Sequence, residues 1–173
     1  DVSTASYANK SFAQAQDTTI CGLTFSSDGT KMYIGGLIND EIFQYSLSSA
    51  FDVSTASYDS VSLDISSQSS AAFSITFNND GTKLFVLDNT EFIFQYNLST
   101  AFNLSTASYS NISHQLTEDT SQNKALTFSA DGTKMYVTGT SVGKVFQYST
   151  SVVIDTLDLS TGSVFNYTPT ASK

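Results

Sequence analysis

Apolar and polar residues alternate along this chain in short runs, and nowhere do apolar residues recur at helical spacing. The run Leu23–Ser26 leads into an Asp-Gly dipeptide, and a second run, Lys31–Ile34, follows at once. Glycine takes up positive φ without steric penalty, so Asp28-Gly29 predicts a tight turn between two strands. A third run, Ile42–Leu47, and a fourth, Tyr58–Ile65, complete the unit. The third sets Phe43, Tyr45 and Leu47 on one side and Ile42 on the other, which calls for cover on both faces. The fourth alternates cleanly, with Val61, Leu63 and Ile65 inward and Ser60, Ser62 and Asp64 outward. That is the pattern of an outermost strand with one wet face.

The unit repeats. Asp1–Tyr7 recurs as Asp52–Tyr58 and as Asn103–Tyr109, a step of 51 residues each time. Phe-Gln-Tyr stands at 43–45, 94–96 and 146–148, and Asp-Gly-Thr-Lys at 28–31, 80–83 and 131–134. A four-stranded unit of about 40–50 residues is the size of a propeller blade. The predicted fold class is therefore all-β: a β-propeller of four-stranded antiparallel blades, with about three blades per chain. The divisions are 1–19 for a lone outer strand (Tyr7–Gln14), 20–71 for blade 1, 72–122 for blade 2, and 123–173 for blade 3 with a divergent C-terminal tail. Together they make one partial propeller domain over 1–173. A β-solenoid is the alternative, but its coils are shorter and lack a hairpin in each repeat.

Propellers carry roughly 4–8 blades. Three leave exposed strand edges and an open apolar side, which invites pairing with another chain. Two chains that associate would close a six-bladed ring by homodimerisation, with Tyr7–Gln14 completing a blade by exchange. The other reading is a piece of a longer propeller. The spare strand at the needed end of the chain favours the dimer.

Leu-Thr-Phe-Ser-x-Asp-Gly-Thr-Lys-Met-Tyr-Val, then Val/Ile-Phe-Gln-Tyr, then Asp-Val-Ser-Thr-Ala-Ser-Tyr resembles the tandem propeller repeats of secreted bacterial and marine phage-associated proteins. These are loosely similar to the YVTN and NHL propellers. The resemblance covers residues 1 to about 149 and implies a propeller with a surface-binding role. It marks a blade, not a chemistry.

Charge narrows the partners. The 173 residues carry 16 acidic and 7 basic side chains, a formal net charge of -9, and every basic residue is Lys. Phosphate backbones and anionic membrane surfaces need clustered Lys and Arg, so neither nucleic acid nor membrane is an expected partner. No run reaches the length of a membrane span. The N-terminus opens directly into a repeat without a signal-peptide pattern, so any export signal is expected to have been removed or never present. The single cysteine, Cys21, leaves no internal disulfide and reads as a buried, inert thiol at the head of an inner strand.

Comparing the three copies shows where length varies. From Asp28 to Asp80 to Asp131 the steps are 52 and 51; from Phe43 to Phe94 to Phe146 they are 51 and 52. The differences fall in the connection from strand 2 to strand 3 and in the connection from strand 4 into the next blade. In an up-and-down blade both lie on one face of the disc. Loops on a rigid scaffold concentrate binding residues. The candidate site is thus Gln16, Asp17, Asn39, Asp40, Glu41, Asp88, Asn89, Glu91, Glu118, Asp119, Gln122 and Asn123.

Catalytic chemistry finds little support. His114, the one histidine, is expected on the outward face of an outer strand, without a nucleophile and orienting acid. Asp28, Asp80 and Asp131 are explained by their turns. Asn39-Asp40-Glu41 and Glu118-Asp119 lack the ligand spacing of an EF-hand, so no cofactor is expected, with Ca²⁺ a minor alternative. Lys31, Lys83 and Lys134 are ordinary beside acidic turns. Tyr7, Tyr58 and Tyr109 read as blade-packing rings before they read as sugar-stacking ones. The expected function is a non-enzymatic binding or adhesion module on a cell or virion surface, with glycans as the ligand class and repeated sites giving avidity. The alternatives are a structural or assembly propeller of a larger surface or phage tail protein, and a metal-dependent hydrolase or lactonase.

Overall fold

The structure, a computed structural model, describes residues 2–118, 125–139 and 143–150. Each repeat folds as an antiparallel meander. The first sheet holds β1 (Ile20–Phe25), β2 (Lys31–Gly36), β3 (Glu41–Leu47) and β4 (Ala56–Asp64), paired in that order. The second holds β5 (Ser74–Phe77), β6 (Lys83–Leu87), β7 (Phe92–Leu98) and β8 (Ala107–Gln115) in the same order. The third has three strands among the described residues, β9 (Leu126–Phe128), β10 (Lys134–Gly139) and β11 (Lys144–Ser149). The innermost strands β1, β5 and β9 are neighbours in turn, so the sheets follow one another about a common axis. This is a β-propeller-like all-β fold. The sequence assigned to the fourth strand and tail of blade 3 lies outside the described residues.

The repeated motifs are turn chemistry. Gly29 and Gly81 sit at φ +70° and +72°. The carboxylate of Asp28 accepts from the Thr30 amide at 3.0 Å and from the Ser26 hydroxyl at 2.6 Å. A Cβ on Gly81 would stand 2.4 Å from the Phe102 ring, and Phe102 closes over the turn by donating its amide to the Gly81 carbonyl at 2.9 Å. Glycine is thus required twice over, for its φ and for the approach of the ring. The Asp-Val-Ser-Thr linker is a capped 3₁₀ turn. Asp52 accepts from the Ser54 amide and Asn103 from the Ser105 amide, each at 3.1 Å. Asp and Asn alternate there because the cap uses only the side-chain oxygen they share.

Strands β4 and β8 each carry a bulge against their partner, at Ser60 (φ 58°) and Asn111 (φ 59°). Two extra residues stand in each, Asp59-Ser60 and Ser110-Asn111, the second of each pair in the left-handed region, and such an insertion bends an outer strand and strengthens its twist.

The core lies between the sheets. Tyr33 and Ile42 of the first sheet meet Ile75, Leu84, Phe94 and Tyr96 of the second, with Leu104 of the linker set among them. The Tyr33 hydroxyl donates to the Phe102 carbonyl at 2.5 Å, and Gln44 accepts from the Leu104 amide at 2.9 Å. These bonds tie the linker of one blade to the sheet before it. Between the second and third sheets, Leu87, Ile93 and Leu116 meet Leu126, Met135 and Val137.

Two expectations are corrected. Residues 1–19 were expected to hold a lone outer strand, Tyr7–Gln14, but among the described residues of that segment there is no strand. A strand is defined by its ladder, and among the described residues none pairs with this segment. Phe12 instead packs on Tyr45 with ring centroids 5.2 Å apart. Cys21 was expected to be buried and is exposed; β1 has no sheet over its outer face.

Gly81→Ala should lower the unfolding free energy by about 2 kcal/mol, from a left-handed φ and displacement of Phe102. Urea denaturation followed by circular dichroism measures it. A loss within experimental scatter of zero would show that the turn relaxes freely.

Candidate functional site

The two variable connections do share one face. The Asn39 amide group donates to the Gln16 carbonyl at 2.7 Å, which joins the lead-in to blade 1 with the β2–β3 loop. Ser70 and Asn89 meet at 3.5 Å in blade 2. The Asp-Gly hairpins lie with the linkers instead: the Phe51 amide donates to the Gly29 carbonyl at 2.9 Å.

Most of the acids on this face are occupied in building it. Asp17 is buried, and its Oδ2 accepts from the backbone amides of Ile38 and Asn39 at 3.1 and 3.0 Å. Its Oδ1 accepts from the Thr19 amide at 2.8 Å. Gly36 admits the carboxylate, since a Cβ there would stand 2.3 Å from Asp17 Oδ2. In blade 2 the matching loop's amides are met from within, one of them at the equivalent position (Asn39, Thr90): Asp88 Oδ1 accepts from Thr90 and Phe92 at 2.8 and 2.9 Å, and Oδ2 from the Thr90 hydroxyl at 2.5 Å. One requirement, an acceptor for a tight loop's amides, is met by an acid from two different places in the chain.

Asp40 and Glu91 are the matching left-handed residues of these loops, at φ 55° and 69°. Their carbonyls accept from the Ile65 and Leu116 amides at 2.9 and 2.8 Å, which fastens the ends of β4 and β8. Glu41 accepts from the Ser62 hydroxyl at 2.9 Å. Gln16 accepts from the Tyr45 hydroxyl at 2.7 Å, and Glu118 from the Tyr148 hydroxyl at 2.5 Å. Asn39 and Asn89 are the exposed side chains at the loop tips, flanked by Ile38 and Thr90. Asp119, Gln122 and Asn123 lie outside the described residues.

The list drawn from sequence missed Gln68, which accepts from the Tyr96 hydroxyl at 3.1 Å. It completes a series: the tyrosine of each Phe-Gln-Tyr is bonded to a side chain on the segment leading into its own blade. The recurrence of Phe-Gln-Tyr was the signal. Burial and the nearby Tyr58 push the Tyr45 phenol up to about 12, so it acts as a neutral donor.

His114 is exposed, its ring 5.3 Å from that of Tyr148. Both line a cleft of about 1060 Å³ between the second and third sheets, together with Phe85 and Gln95. Phe85 and Gln95 match Tyr33 and Gln44, which the next blade's linker covers through Phe102 and Leu104. The corresponding linker of blade 3 lies outside the described residues. Tyr58 and Tyr109 pack on Tyr45 and Tyr96, with centroids 5.5 and 5.6 Å apart. Tyr7 has no such partner and is exposed.

No family model and no curated protein matches the sequence. Solved structures do match the fold. A chain of a mitotic checkpoint complex superposes with a TM-score of 0.58 at 9% identity, over 80% of this chain and 39% of that one. A putative 6-phosphogluconolactonase from Bacteroides uniformis gives 0.56 at 12% identity, over 76% and 37%. A functionally unknown protein from Desulfotomaculum acetoxidans gives 0.54 at 17%, over 79% and 44%. The chain thus spans less than half the length of each, and the likeness is one of fold alone. Among the described residues no helix is long and apolar enough to cross a membrane.

Burial pushes the Asp17 carboxyl up, but the amides of Thr19, Asn39 and Ile38 outweigh it and hold it below the ordinary 3.8. Its stabilisation is therefore complete above about pH 4 and lost as the pH falls through the depressed value. Asp28 and Asp131 act in the same direction, each held at about 2 by a serine hydroxyl and a threonine amide. Stability should decline steadily below pH 4. Asp17→Asn should cost about 2 kcal/mol at pH 7 and reduce the acid slope. Melting curves between pH 2 and 7 on both proteins provide the check.

Proposed function

We propose that this chain is a non-enzymatic binding module of a cell or virion surface, whose ligand is a neutral polar polymer of the glycan class. The observation behind this reading is the division of labour on the variable face. Asp17 and Asp88 are tied to loop amides, whereas Asn39, Asn89 and Thr90 are exposed at the loop tips; Asn39 and Thr90 spend one side-chain donor each on Gln16 and Asp88 and keep further polar capacity outward. Primary amides offer two donors and an acceptor each, which suits sugar hydroxyls. Rigid tips lose little entropy on contact, so weak single sites add up when repeated around a disc. The net charge of -9 disfavours an anionic polymer.

A carboxylate that accepts two or three hydrogen bonds from its own backbone stays ionised and carries no proton to give. Asp17 is in this condition, which makes it a poor general acid. A second reading, an assembly propeller within a larger surface protein, is favoured by the exposed apolar side chains Leu23 of the first sheet and Val145 of the third.

A glycan array tests the first reading. Binding to neutral glycans is expected, and Asn39→Ala with Asn89→Ala should weaken it about tenfold, or ~1.4 kcal/mol. An array with no binder, from a protein that melts normally, would favour assembly over recognition.

A further inference from the structure

The three repeats act as controls for one another, and two positions break the pattern. Leu23 of β1 is 57% exposed, while its equivalents Ile75 and Leu126 are 3% and 6% exposed. Val145 of β11 is 67% exposed, while Ile42 and Ile93 are 0% and 4%. In the two complete sheet pairs these positions belong to the same clusters: Ile42 with Ile75, and Ile93 with Leu126. On the outer face of the first sheet Met32, Ile34 and Phe43 are already packed with Phe12 and Val53, so Leu23 there and Val145 on the far face of the third are the exposed parts of an interface that the chain itself builds twice. Phe51 packs on Phe25 and is 60% exposed, whereas its equivalent Phe102 packs on Phe77 and its carbonyl also accepts from Tyr33 of the preceding sheet.

The N-terminal segment carries a third observation. It has a 3₁₀ turn at Val2–Thr4, as β4 and β8 have at Val53–Thr55 and Leu104–Thr106. Asn9 lies at φ 56°, matching the bulge residues Ser60 and Asn111. Phe12 packs on Tyr45 of the first sheet, and its equivalent Leu63 packs in the cluster that holds Tyr96 of the second. The segment has the shape and the seat of a fourth strand and lacks only a ladder. Sheet three has the converse need: the outer edge of β11 is unpaired among the described residues.

We infer that two copies of this chain associate head to tail, the third sheet of each docking on the first sheet of the other, with residues 5–13 pairing along β11 of the second copy. The register follows from the repeats. Tyr45 faces Tyr58 and Tyr96 faces Tyr109, so Tyr148 faces Tyr7 of the second copy, and Val145 meets its Leu23. Three blades from each of two chains make six, within the range of about 4–8 that closes a propeller; three chains would give nine. The rival occupant of the β11 edge is the chain's own tail, where Asp158-Leu159-Ser160-Thr161 repeats Asn103-Leu104-Ser105-Thr106. Pairing along that edge does not by itself account for the exposed Leu23 of the first sheet. A second copy covers both. The association does not depend on glycan binding.

Light scattering coupled to size exclusion on the full chain is the test, with a mass of twice 18.6 kDa expected. Leu23→Asp and Val145→Lys alter side chains already exposed in the single chain, so each variant should keep its circular dichroism. Each should fall to half the dimer mass. Mixing the two restores one interface as Asp with Lys and leaves the other as Leu with Val, so the dimer should return. A single-chain mass for the unaltered protein overturns the inference, and β11 amides protected from exchange in that monomer would assign the edge to the tail. A dimer indifferent to both substitutions overturns it equally.

Discussion

A four-stranded sheet with apolar side chains on both faces cannot stand alone in water, and this constraint organises the whole chain. Tyr33 and Ile42 on one side and Met32 and Phe43 on the other are all buried. Each large aliphatic side chain withdrawn from water contributes about 1.5–3 kcal/mol, and each face needs a cover: the next sheet on the Tyr33 side, Phe12 and the Val53 turn on the Met32 side. The repeat answers by making every blade the cover of the one before. Stability is then a matter of nearest neighbours, and the ends of the array are where the account stays open.

Polar groups serve this stacking more than they decorate it. Gln44 reaches across to the Leu104 amide and Tyr33 to the Phe102 carbonyl, so each linker is bonded as well as packed into the previous blade. The tyrosine of Phe-Gln-Tyr fixes the segment that leads into its own sheet, through Gln16, Gln68 or Glu118. Buried phenols and amides are tolerated because each finds its partner. The same economy accounts for the acids of the variable face. Asp17 and Asp88 satisfy amides that a tight loop cannot satisfy itself, and in doing so they free the loop tips to be displayed.

The candidate site was legible only in outline. Length differences of one residue pointed to connections that the Asn39–Gln16 bond does bring together, because insertions are tolerated where no ladder fixes the register. They could not separate builders from displayed residues. Asp17 and Asn39 look alike in a list of polar loop residues, yet one is buried under three amides and the other projects. That difference depends on Gly36, whose missing side chain makes room for a carboxylate 19 positions earlier in the chain. Gln68 escaped notice for a related reason: its bond to Tyr96 joins two segments 28 residues apart.

The sequence by itself determined the blade. Period-two alternation, the Asp-Gly turns and the capped Asp-Val-Ser-Thr linker are local, and local chemistry fixes strands, turns and their order within a sheet. What only the tertiary structure decided is what each blade meets. Tyr7–Gln14 has every local mark of a fourth strand and still forms none, because a strand is completed by another strand's amides and carbonyls. Leu23 is as apolar as Ile75 and stays exposed, because burial belongs to the neighbour and not to the residue.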